Sequence, residues 1–146
     1  MTTPSPGTPV RAFGIVLAVP QTVIGVWASL SPRGWFDNFP GLGPALVAAE
    51  PPYNQHLVTD AGAGFLAIGL LLLGACVFGG APEIRMAAIA HLIFSVPHLM
   101  YHAAHPSPLL PAVNDVLNVV LLGAEVAAGL VLIVLTTHRK AMAWAS

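Results

Sequence analysis

Four stretches of the chain, roughly residues 12–30, 56–79, 84–104 and 111–136, run almost without charge for about the 20 residues that a helix needs to cross a hydrocarbon core. Lipid offers backbone N–H and C=O groups no partners, so each stretch must satisfy its own hydrogen bonds as a helix. Composition agrees: 56% of the 146 residues are hydrophobic and 8% are charged, against about 25% charged in an ordinary soluble domain. Short links after residue 79 and after residue 104 make neighbouring spans antiparallel. The expected fold is an all-α membrane protein, a four-transmembrane-helix antiparallel bundle with the lipid bilayer as its main partner. Five Lys and Arg against six Asp and Glu leave no basic face, which excludes nucleic acid.

Residues 1–10 hold three prolines and no charged side chain, so they read as a disordered N-terminal tail. Residues 11–140 form the transmembrane domain and 141–146 a C-terminal tail. Val26-Trp27-Ala28 has the small-residue look of a cleaved signal's end, yet the apolar run is long for a signal. A first span kinked at Pro20 is the alternative adopted. Arg11, Arg85, His138, Arg139 and Lys140 fall on one side of the four-span arrangement and Arg33 on the other. The positive-inside rule then puts both termini of a multi-pass plasma-membrane protein in the cytoplasm. The 31–55 loop becomes extracytoplasmic. Its Trp35, Phe36, Phe39 and Tyr53 suit an interfacial aromatic belt, with folding over the bundle mouth as the alternative.

Small residues allow membrane helices to approach closely. The second span carries Gly62, Gly64, Gly69, Gly74, Gly79 and Gly80, and the fourth carries Gly123, Ala124, Ala127, Ala128 and Gly129, so both present packing faces, within the chain or between copies. Cys76 has no second cysteine to pair with and reads as a small buried hydrophobe.

Four of the six histidines, His91, His98, His102 and His105, fall within about 60° on the third span. His91 lies about 10 Å deeper than His98 at 1.5 Å rise per residue, so only His98, His102 and His105 could act together. The spacing His98-x3-His102 lets two imidazoles on successive turns meet one metal. His56 and Asp60 share that spacing at the same end of the second span, and Asn114, Asp115 and Asn118 begin the fourth. The candidate site is therefore His56, Asp60, His98 and His102, with His105 and Asp115 beside them. Asn54, Tyr101, Asn114 and Asn118 would orient them or pair between helices. Asp60 is costly inside a membrane, so it serves a site or pairs with a histidine as interhelical glue. Deeper in the bundle, His91 and Glu125 lie at comparable depth, where they would hydrogen-bond across helices or relay protons.

The runs Phe39-Pro40-Gly41-Leu42-Gly43, Pro52-Tyr53-Asn54-Gln55-His56-Leu57 with Asp60, and Val96-Pro97-His98-Leu99-Met100-Tyr101-His102 together make the chain similar to a family of small four-helix actinobacterial integral membrane proteins. The resemblance implies the fold and a membrane location, and it carries no established activity. That family more usually reads Tyr-Asn-Glu-His. Gln55 departs from it, which removes a second acid beside His56.

Three functions follow from these residues. The first is a transition-metal site for Zn, Fe or Cu, or a b-type haem gripped between the second and third spans; the lack of nearby Cys argues against soft-metal chemistry. The second is an outer-leaflet enzyme acting on a lipid or quinone, with His98 or His102 as general base oriented by Asp60. The third is a small accessory or scaffold subunit, as a homo-oligomer or within a larger membrane complex, whose polar cluster holds the bundle together. Transport is the weakest option, since no inverted repeat is evident.

Overall fold

The computed structural model describes residues 6–137, and its regular structure is helical, with no strand among the described residues. Five helices follow in order: α1 (Thr8–Leu30), α2 (Pro32–Asn38), α3 (Gln55–Phe78), α4 (Ala81–Ala104) and α5 (Ala112–Thr137). All but α2 are long and apolar enough to cross a membrane, and the fold is a four-helix bundle that fits a multi-pass membrane protein.

Two helices start earlier than apolar content alone suggests. Pro9 stands in the first turn of α1 and Pro82 in the first turn of α4, where the missing N–H costs nothing. Residues 8–10, expected in a disordered tail, are therefore helical, and Val10 is part of the core. The C-terminal tail lies outside the described residues, as do His138, Arg139 and Lys140.

The bundle is built from two helix pairs. The main partner of α1 is α3, not its immediate neighbour α2, and α4 packs chiefly on α5. The α1–α3 contact is backbone-close. A Cβ at Gly25 would collide with the Leu66 backbone, one at Gly62 would lie 2.7 Å from the Ser29 nitrogen, and one at Gly69 would lie 2.6 Å from the Thr22 nitrogen. These contacts step in opposite directions along the two helices, so the pair is antiparallel. Arg11 closes its far end, where the guanidinium donates to the carbonyls of Cys76 at 2.5 Å and Gly79 at 2.8 Å. Those carbonyls belong to the last turn of α3, which has no intrahelical donors left to satisfy them.

The 31–54 segment does not lie out on the bilayer as an aromatic belt. Trp35 and Phe36 on α2 are buried, and with Val58 and Ala28 they form a second core cluster over the mouth of the bundle. Gly41 and Gly43 take positive φ of 93° and 79°, which turns the chain back so that the Leu46 amide donates to the Phe39 carbonyl at 2.8 Å. The loop is latched to the α4–α5 connection by Ser107, whose hydroxyl donates to the Ala49 carbonyl at 2.8 Å. Rings that could have anchored in headgroups turn inward because the gap between the helix pairs gives them apolar neighbours.

Two substitutions test the glycine contact. Gly25→Val forces α1 away from α3 and should cost about 1–3 kcal/mol, as overpacking does elsewhere. Gly74→Ala, with nothing within 4 Å of the new methyl, should cost nothing. Unfolding of each variant in detergent, followed by circular dichroism, separates the two.

Candidate functional site

Between the α1–α3 pair and the α4–α5 pair, beneath the loop, lies a cavity of about 510 Å³. From α1 come Leu17, Pro20, Gln21 and Ile24, one face of the helix at spacings of three and four. The loop roofs it with Trp35, Phe39, Val47 and Glu50. His98 and His102 line it from α4, and Asn118, Leu121, Leu122 and Glu125 from α5, while α3 contributes Phe65 alone.

The polar groups are spread by depth. Measured along each helix from its loop end, His102 lies about 3 Å in, His98 and Asn118 about 9 Å, Gln21 about 14 Å and Glu125 about 20 Å. Glu125 therefore sits at the floor, near the middle of a bilayer, and Glu50 near the roof.

Aromatic packing holds His98. Its ring stacks on Phe94 at 6.0 Å between centroids and meets Phe65 edge-on at 6.0 Å, while Phe65 and Phe94 themselves meet edge-on at 4.8 Å. His102 lies 4.9 Å from His98, the two planes 72° apart. The one aromatic side chain that α3 supplies to the cavity thus positions the deeper imidazole.

Of the expected site residues, the structure brings four to the cavity: His98, His102, Asn118 and Glu125. His56 and Asp60 are not among them. They pair with each other at 3.3 Å on an exposed stretch of α3, their side chains 81% and 61% accessible, and do not meet the α4 histidines. Gly62 and Gly69 turn one face of α3 to α1, and Asp60, two residues before Gly62, falls about 160° away from it. Asn54 is the N-cap of α3, its Oδ1 accepting from the Leu57 amide at 3.2 Å. Asp115 accepts from the Ser107 amide at 3.4 Å and so orders the α4–α5 connection. His105 stacks on Tyr101 at 4.5 Å and shares a hydrogen bond with the Tyr101 carbonyl at the end of α4. Asn114 is half-buried outside the cavity lining.

His91 and Glu125 do not pair through their side chains either. His91 is fully buried against Gly129, where a Cβ would come to 3.0 Å from the ring. Its ring faces the Glu125 backbone, yet neither ring nitrogen reaches a partner in hydrogen-bonding geometry. Glu125 itself lines the cavity instead.

Among the described residues, no three His, Cys, Asp or Glu side chains come together as a group that could hold a metal ion. His98 and His102 supply two nitrogens and lack the third ligand that His56 or Asp60 was expected to bring. A haem also fits poorly, because no Lys or Arg lines the cavity to meet its propionates.

Sequence reading missed Gln21, Glu50 and Phe65, and it had Trp35 and Phe39 over the bundle mouth only as the alternative to an interfacial belt. Gln21 had a signal, as the one amide side chain in the first apolar span. It is 3% exposed, and its Oε1 has no hydrogen-bond partner; the same is true of the Trp35 Nε1 donor. Glu50 had none, since nothing in the composition of a loop says which residue roofs a cavity. No protein-family model matches the chain, and no curated protein or solved structure does either.

Separate roles predict separate costs. His56→Ala and Asp60→Asn should each change stability by less than about 0.5 kcal/mol, as exposed pairs do. Phe65→Ala should cost roughly 2 kcal/mol by emptying the contact that seats His98. Thermal unfolding of the three variants in the same detergent reads the difference.

Proposed function

We propose that this protein binds an amphipathic small molecule, drawn from the bilayer, in the cavity between its two helix pairs. The observation that carries the reading is the lining of the cavity, mostly apolar side chains from both helix pairs and the loop, with His98, His102, Asn118, Glu50 and Glu125 as the polar groups among them. About 510 Å³ falls within the range of small-molecule sites. Apolar walls with a few polar groups at graded depth suit a molecule that is mostly hydrocarbon. The metal reading ranks lower for want of a third ligand. The outer-leaflet enzyme reading loses Asp60, the residue meant to orient its base.

The proposal places the loop end outside the cell, with both termini cytoplasmic. Arg11 and Arg85 stand at the far end of the bundle and Arg33 alone at the loop end, the asymmetry expected of that orientation.

A long-chain alcohol carrying bromine near its head quenches tryptophan at contact range. Saturable quenching should be largely lost in Trp35→Phe and retained in Trp27→Phe, whose residue does not line the cavity. Leu122→Phe, which fills the cavity, should weaken binding about tenfold. Equal quenching in the two tryptophan variants would sink the reading. For orientation, Leu42→Cys on the exposed loop should react in intact cells with a membrane-impermeant maleimide, while native Cys76 is buried and silent.

A further inference from the structure

We infer that the cavity selects an organic cation, an ammonium group on an apolar body; this rests on the reading of the cavity as a binding site. Two carboxylates line it, Glu50 near the roof and Glu125 at the floor, and no Lys or Arg does. The described cations are engaged or remote: Arg11 holds the end of α3, Arg33 is bound to Asp37 at 2.7 Å, and Arg85 stands near the start of α4. The Glu125 carboxylate makes no hydrogen bond or ion pair among the described residues. A carboxyl group deep in a bilayer is expensive unless it is paired or serves a site.

Two further features point to the same charge. Trp35, Phe39 and Phe65 bring three aromatic rings to the same walls. The negative face of such rings attracts ammonium groups, most strongly where water is excluded. His98 and His102, the remaining titratable groups on the walls, offer acceptor nitrogens when neutral. An anion would meet two carboxylates and no compensating cation. The same consideration excludes a choline lipid, whose phosphate would enter beside its ammonium.

Competition against the brominated alcohol tests this on the full chain in neutral detergent, with decylammonium, decanol and decanoate as probes of equal tail. The ammonium should bind about tenfold more tightly than the alcohol, and the carboxylate most weakly. Glu125→Gln should lower ammonium affinity about tenfold and decanol affinity far less, which separates lost charge from lost fold. Dispersed phosphatidylcholine should not compete. Equal affinity for ammonium and alcohol, or effective competition by phosphatidylcholine, would overturn the cation inference and leave the cavity reading intact. Absence of saturable binding by any probe would overturn both.

Discussion

The α1–α3 contact is the constraint on which the rest of the structure depends. Inside a bilayer there is no hydrophobic gain from pressing two apolar helices together, because lipid tails are as apolar as leucine, so association has to come from close packing and polar links. This pair has both. Gly25, Gly62 and Gly69 let the backbones meet, and Arg11 ties the start of α1 to the end of α3 through carbonyls that no helical donor can reach. With α3 on one side, the flanking face of α1, carrying Leu17, Pro20, Gln21 and Ile24, is left toward the other pair. The α4–α5 pair has its own close contact at Gly129, packed under His91 and Leu92. Two pairs that each satisfy themselves have less reason to close on each other, and the cavity is the space between them.

The loop completes what the pairs begin. Its turn at Gly41 and Gly43, its latch from Ser107 to Ala49, and the contact of Phe36 with Tyr53 at 5.1 Å hold the α2 aromatics over the gap. Burying Trp35 there strands its N–H from both water and protein acceptors. A purely structural roof would be better served by phenylalanine at that position, since an unmet donor detracts from stability without adding to packing. The same reasoning applies to Gln21, where leucine would fill the space without an orphaned acceptor.

His91 shows that a buried, unpartnered polar group is not enough by itself. Neither ring nitrogen has a partner in hydrogen-bonding geometry, yet the ring faces the Glu125 backbone across the α4–α5 interface and is not part of the cavity lining. Its hydroxyl neighbour Ser95 donates backward to the His91 carbonyl at 2.9 Å and leaves the ring alone. The same holds for the orphaned atoms of Gln21 and Trp35, which are shut off from the cavity their residues line, so the site is read from the lining as a whole.

The four spans were legible because crossing a bilayer demands about 20 apolar residues whatever the neighbours are. The site was legible only in half. His98 and His102 share a face of α4, and Asn118 and Glu125 share a face of α5, so each pair could be recognised within its own helix. Deciding whether His56 and Asp60 join them requires the rotation of α3, and an almost uniformly apolar helix has no polar face to set it. Its glycines point two ways. Gly62 and Gly69 lie within about 20° of each other around the helix and meet α1, with Asp60 about 160° from Gly62, whereas Gly64, which faces Phe94 on α4, lies only about 40° from Asp60. A helix with small residues on two faces does not say which neighbour its carboxylate joins. That is decided by how α3 is turned between α1 and α4, a long-range contact that residues 55–78 do not encode by themselves.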